Sequence, residues 1–162
     1  MIVYAYYGLG KTTLCQTQPH LCTEIDEEYL PKPYDIDEVT RTIQTLSQTK
    51  IVFINGRLGL LPDIHIDVAM FPEDVNTTLK RLVNRHTDPS FGTFLKETFH
   101  ESKDLISART DCVWLLSSDA YVSDYQTLLL LTNQKKGLQS HELENITNTK
   151  RKTHNKTDRD FQ

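Results

Sequence analysis

The chain has 162 residues, 38% of them hydrophobic and 25% charged, with a formal net charge of −4. That length suits one domain with a sizeable core, and the acidic balance argues against a dedicated duplex nucleic-acid binder, which carries a basic face. No apolar stretch nears the roughly 20 residues that span a bilayer, and no basic region precedes the first apolar run as in a signal peptide, so the expectation is a soluble protein of the cytoplasm.

In chain order, Ile2–Tyr6 is apolar and reads as a first strand. Gly8-Leu9-Gly10 breaks the run, and Lys11-Thr12-Thr13 follows at once. A buried strand that turns through glycines into a helix opening with Lys-Thr is how a protein builds a phosphate cradle. Glycines let backbone N–H groups converge on an anion, a lysine reaches the outer phosphates, and a threonine hydroxyl can hold Mg²⁺. The pattern G-x-x-x-x-G-K-[ST] is met from Ala5 to Thr12 at every specified position but the first, where Ala5 stands for glycine. Gly8, Leu9, Gly10, Lys11, Thr12 and Thr13 are the expected nucleotide-phosphate-binding residues, with Mg²⁺ on Thr12.

Lys11–Thr17 opens a short helix that stops near Pro19, because the residue before a proline avoids the helical region. Leu21–Ile25 reads as strand two, closing on Asp26. At the carboxyl end of a strand in an open α/β sheet, both Glu24 and Asp26 can curl toward the ligand crevice. Glu24 is the expected metal partner and Asp26 the group that accepts a proton or hydrogen bond from an acceptor. The plainer reading is a solvated loop, since Glu27 and Glu28 prolong the acidic run. Pro31 and Pro33 mark a loop, and Asp35–Ser47 carries Ile36, Val39, Ile43 and Leu46 at helical spacing. Ile51–Ile54 is a continuous apolar run and reads as a central strand. Asn55-Gly56-Arg57 then delivers a guanidinium to the same sheet edge, where it suits bidentate binding of a substrate phosphate or carboxylate. Alternatively Arg57 pairs with an acid such as Asp63.

Ile66–Phe71 reads as a strand ended by Pro72, and Asp74–Val83 as a helix. Arg81 and Arg85 are i, i+4 neighbours, so the spacing puts them on one helix face. With His86-Thr87-Asp88-Pro89 they read as a mobile lid near 74–90 whose cations meet the transferring phosphates; the alternative is solvated surface. A helix over Ser90–Ala108 is expected to face the core with Phe94, Phe99, Leu105 and Ile106. Cys112–Leu116 is the last strand and Tyr121–Leu131 a final helix. Strand–helix alternation predicts an α/β, three-layer α/β/α fold on a mostly parallel central sheet.

From Thr132 the composition turns polar, with Leu138, Leu143, Ile146 and Phe161 its main apolar residues. Such a stretch offsets little ordering entropy, so 1–131 is the expected domain and 132–162 a disordered or peripheral tail. The basic triplet Lys150-Arg151-Lys152 is a weak argument for nucleic acid, which is not the favoured partner. Cys15, Cys22 and Cys112 lack zinc-site spacing and are expected to be reduced, mostly buried thiols.

Taken together, Ala5–Leu14, Glu24 and Asp26, Arg57 and the Arg81/Arg85 stretch resemble the small P-loop kinases of nucleoside monophosphates and related metabolites. The compact size is similar to shikimate- and gluconate-kinase-type members, and the opening residues are similar to P-loop kinase-like proteins of bacteriophages. The resemblance covers Met1–Leu131 by order of elements. It implies a P-loop nucleotide-kinase-like fold and ATP-dependent transfer of the γ-phosphoryl to a small acceptor, a nucleoside or deoxynucleoside monophosphate. It further implies Lys11 and Thr12 on ATP and Mg²⁺, Asp26 and Arg57 on the acceptor, Lys11, Asp26, Arg81 and Arg85 in catalysis, and the host cytoplasm for a phage-encoded protein. A kinase of a polynucleotide 5′ end or another metabolite hydroxyl, and a non-catalytic ATP-binding module, are the competing readings. Two departures from the family stand out. Ala5 replaces the first glycine, and no strand ends in the Asp of a Walker B motif: Ile51–Ile54 leads to Asn55, and Val113–Leu116 to Ser117, Ser118 and Asp119.

Overall fold

The computed structural model describes residues 1–83, 85 and 88–137. His86 and Thr87 of the expected lid, the apolar residues of the tail and the basic triplet at 150–152 lie outside them. The chain divides after Asp124 into two units, and the sheet with its principal helices belongs to the first.

Five short strands, β1 (Ile2–Ala5), β2 (Cys22–Ile25), β3 (Ile51–Ile54), β4 (Val68–Pro72) and β5 (Val113–Leu116), form one sheet in the order β2-β3-β1-β4-β5. Every pairing is parallel, with Tyr4 opposite Ile54 on one side and Ala69 on the other. The helices are α1 (Lys11–Thr17), α2 (Ile36–Ser47), α3 (Val75–Leu82) and α4 (Pro89–Ser107). The fold is thus α/β, with a sheet parallel throughout. From β1 the chain crosses the sheet one way to β2, and from β2 and β4 it crosses the other way. Right-handed crossovers therefore set α1 on the opposite face from α2, α3 and α4. The loop leaving β1 turns to one face while those leaving β3 and β4 turn to the other, which opens a crevice at the carboxyl ends of the strands.

Burial follows from this topology. Strands covered on both faces read as unbroken apolar runs, and all residues of β1, β3 and β4 are buried. Alternation along β1 sends Tyr4 and Tyr6 toward α4, where Tyr6 meets Phe99 edge-on at 5.2 Å and Phe71 lies 5.5 Å from Tyr4. Three helices begin at an aspartate cap: Asp35 and Asp74, expected as the first residues of their helices, and Asp88, expected in the lid, each stand just outside the helix. The Asp35 carboxylate accepts the Asp37 and Glu38 N–H groups, Asp74 accepts that of Asn76, and Asp88 that of Ser90. These side chains satisfy backbone donors that a first helical turn leaves unpaired.

Four expectations need correction. Strand β4 starts at Val68, two residues after the apolar run opens at Ile66. In α4 the buried seam is Leu95, Phe99 and Ile106, while Phe94 is 54% and Leu105 48% exposed. Residues 94 and 105 sit one position off that i, i+4 stripe, so the apolar count pointed to the wrong ring of side chains. Tyr121 lies outside any helix: a 3₁₀ turn covers Val122–Tyr125, and a helix (α5) spans 126–137, past the tail boundary expected at Thr132. Of the three free cysteines only Cys22 is buried.

Candidate functional site

The loop between β1 and α1 is built by its glycines. Gly8 and Gly10 adopt φ of +72° and +85°, the left-handed region that side-chain-bearing residues avoid, and no other residue type does so among the described residues. A Cβ on Gly10 would also lie 2.9 Å from the Tyr121 ring. Successive turns of this kind aim backbone N–H groups at one concavity, an anion-binding shape. Leu9 is fully buried beneath it, and Leu14 closes the first helical bond onto the Gly10 carbonyl at 3.1 Å. Ala5 is the last residue of β1, buried, with no positive φ. The position where the motif specifies glycine therefore needs none here.

Lys11 is 6% exposed, and its Nζ donates to the Tyr6 carbonyl at 3.2 Å while standing 5.9 Å from the centre of the Tyr7 ring. Burial pushes its pKa below the ordinary lysine value; the charges of Asp26 and Glu24 oppose that shift and Arg85 adds to it. The Thr12 hydroxyl donates to Glu24 Oε1 at 2.6 Å, and Glu24 Oε2 is buried with no hydrogen-bond partner in the structure. An orphaned carboxylate oxygen beside a threonine hydroxyl is a donor set that fits a hard cation such as Mg²⁺. Among the described residues no group of three or more His, Cys, Asp or Glu gathers to hold a metal, so a cation there would draw further oxygens from a bound ligand. Thr13 is exposed, and its carbonyl accepts the Thr17 hydroxyl.

On the neighbouring strand ends, Asp26 Oδ1 accepts the Glu28 N–H at 2.9 Å and caps the 3₁₀ turn Glu27–Tyr29. Arg57 pairs with Glu27, not with Asp63. Its N–H and Nε donate to the two Glu27 oxygens at 2.6 and 2.9 Å, and Tyr34 donates to the same carboxylate at 3.4 Å. The Glu27 N–H in turn donates to Asn55 Oδ1 at 3.0 Å. Gly56, at φ +53°, lets the chain pass this carboxylate, because a Cβ there would collide with Glu27 Oε2. One buried acid thus ties the exit of β2 to the exit of β3. Asn55 is fully buried and its Nδ2 has no partner in the structure.

The two arginines of the expected lid part company. Helix α3 ends at Leu82, so Arg85 lies beyond it, exposed, with its N–H on the Leu82 carbonyl. Arg81 donates to the carbonyls of Gly8, Ser118 and Ala120 at 3.1, 2.9 and 2.8 Å, and its guanidinium stacks 3.9 Å from the centre of the Tyr121 ring. It braces the glycine loop against the segment that follows β5. A shared helix face for the two was the expectation, and the early end of α3 removes it.

The structure therefore gathers Gly8, Gly10, Lys11, Thr12 and Glu24 in one place, with Asp26 and Arg85 near enough to act on the Lys11 charge, and holds Arg57 on the adjoining loop. Sequence reasoning missed Glu27, which no pattern distinguishes within Glu24–Glu28, and Tyr121, which was placed inside a helix. It also missed Asn55 as a junction residue; there the apolar strand before it and the glycine after it were the available signal.

No family model and no curated protein matches this chain. Among solved structures, one similar chain is an uncharacterized protein from Eubacterium ventriosum. The two share 12% sequence identity with a TM-score of 0.49, over 83% of this chain and 98% of that one. No helix among the described residues is long and apolar enough to cross a membrane.

Proposed function

We propose that this chain is an ATP-dependent phosphotransferase with a P-loop nucleotide-kinase-like fold, moving the γ-phosphoryl of ATP to a small acceptor. The acceptor that the family resemblance implies is a nucleoside or deoxynucleoside monophosphate. The observation that carries the reading is the loop itself: two left-handed glycines, a nearly buried lysine, and a threonine hydroxyl beside a carboxylate with an orphaned oxygen. Lys11 would exchange its Tyr6 carbonyl for a phosphate oxygen, recovering in that bond the cost of its burial. Thr12 and Glu24 would hold Mg²⁺, which supplies charge neutralisation on the phosphates when bound. Asp26 would orient the acceptor by a hydrogen bond as its oxygen bonds to phosphorus and the bond to ADP breaks, and with a hydroxyl acceptor would take the proton. Arg85 would add positive charge where it spreads over the transferring oxygens.

ADP release from ATP in the presence of monophosphates, sugar acids and oligonucleotide 5′ ends, each tested singly, separates this reading from its competitors. Turnover confined to a small acceptor, and lost by about 10²-fold or more in Lys11→Ala, supports it. ATP binding without transfer to any acceptor would leave the non-catalytic module.

A further inference from the structure

On the α4 side of β1, adjoining the glycine loop, lies a cavity of about 590 Å³, well inside the range of small-molecule sites. Its inner wall is aromatic. Tyr6 and Tyr7 meet at 79°, and Tyr7 meets Phe91 at 89° with 5.6 Å between centroids. Rings set at right angles make a corner, into which a flat ring can enter by edge and face contacts. Several polar atoms of the wall are already bonded within the protein: the Tyr6 hydroxyl donates to the Leu95 carbonyl, Thr98 to that of Phe94, and both Glu27 oxygens accept from Arg57. Around the opening, Leu60, Phe94 and Leu105 are 39%, 54% and 48% exposed. Three large apolar side chains left in water around one mouth are surface that a ligand would cover.

The charged groups of this cavity are Arg57, Lys32, Glu27 and Glu28. Glu27 holds the Arg57 N–H and Nε, and the two Nη groups of Arg57 take no hydrogen-bond partner among the described residues. That leaves a preset fork of donors on a side chain 77% exposed, the geometry that recognises a carboxylate or phosphate in two-point fashion. A fork anchored at its base loses less entropy on binding than a free arginine.

We propose that this cavity seats a small ring-bearing acid, with a planar ring in the aromatic corner of Tyr6, Tyr7 and Phe91, Phe94 covering it at the mouth, and its carboxylate or phosphate on the Arg57 fork. That this ligand is the phosphoryl acceptor rests on the phosphotransferase reading; that it binds does not. A monophosphate with its base edge turned to the mouth meets the description. A sugar acid, which has no flat face, does not. Glu27 is then a positioning residue, acting on the ligand through Arg57.

The test is calorimetric titration of the whole chain, without nucleotide, using phenyl phosphate, benzoate and inorganic phosphate. Phenyl phosphate should bind about tenfold tighter than inorganic phosphate or better, the scale of one or two aromatic contacts. Benzoate binding tighter or weaker than phenyl phosphate assigns the acid as carboxylate or phosphate, and either order supports the cavity. Phe94→Asp, at an exposed position where folding is not at stake, should bring phenyl phosphate down to the level of inorganic phosphate, and Arg57→Ala should weaken both ring-bearing probes by about tenfold. Equal binding of phenyl and inorganic phosphate would overturn the proposal, as would a phenyl phosphate affinity that neither Phe94→Asp nor Arg57→Ala changes. A parallel ATP titration keeps the two readings apart: phenyl phosphate bound where ATP is not would end the phosphotransferase reading and leave the cavity standing.

Discussion

Lys11 holds a charge where burial opposes it, and this gives the residue a pH signature of its own. Its folded pKa lies below the ordinary 10.5, so between those two values the unfolded chain carries more protons than the native one. Stability then rises with pH across that window, and the cost of the buried charge is fully present below it. Lys11→Met should accordingly melt higher than the wild type at pH 7, with the gap shrinking as pH approaches 10.5. A gap that stays constant would mean that the ammonium is not the source of the penalty. Asp26 and Glu24 separate in the same way. Asn caps a turn as well as Asp, so Asp26→Asn should keep the Glu27–Tyr29 turn yet lose about 10²-fold in turnover if the carboxylate takes the acceptor's proton. Glu24→Gln should instead raise the Mg²⁺ concentration needed for half-maximal rate. Like effects of the two substitutions on both readouts would argue for local structure over chemistry. That Lys11 and Thr12 open a helix behind a glycine turn was legible from the glycine-broken strand, and that Glu24 meets Thr12 from its place at the carboxyl end of β2. Glu27 was not, since only the register of two loops makes one acid in a run of four the buried one.

The elements were legible where period and caps agreed, as in α2, whose Asp35 and apolar spacing both appear in the sequence. They failed where a contact outside the element decided. Phe94 and Leu105 lie off the buried stripe of α4 and line the rim of a cavity, and Arg81 leaves the expected lid because three carbonyls and a tyrosine ring claim its guanidinium. Arg81 and Arg85 should therefore behave differently. Arg81→Ala should cost about 1–3 kcal/mol in urea unfolding, the scale of charged hydrogen bonds lost from a braced loop. Arg85→Ala should stay within about 0.5 kcal/mol, as exposed substitutions do, while slowing transfer. Equal stability losses would show that Arg81 is no brace.

At the scale of the whole molecule, strand–helix alternation was enough to foresee a parallel sheet covered on both faces, but not its order, which long-range pairing sets. That order puts β1 in the middle, so the glycine loop stands between the exits of β3 and β4. A ligand there binds only the folded chain and raises Tm by mass action. ATP with Mg²⁺ should raise Tm more than ATP alone. Equal shifts would mean that Thr12 and Glu24 hold no cation.

The brace from Arg81 also makes the protein its own optical probe. The chain has one tryptophan, Trp114, in β5, and the segment leaving that strand is the one Arg81 clasps to the Gly8 carbonyl. If the loop takes up nucleotide as proposed, any rearrangement of it pulls on the far end of the same short span. Emission excited at the indole should therefore change on titration with ATP, and the response should vanish in Arg81→Ala even where binding persists by calorimetry. An indole silent in the wild type through saturation would mean that the loop receives its ligand without moving.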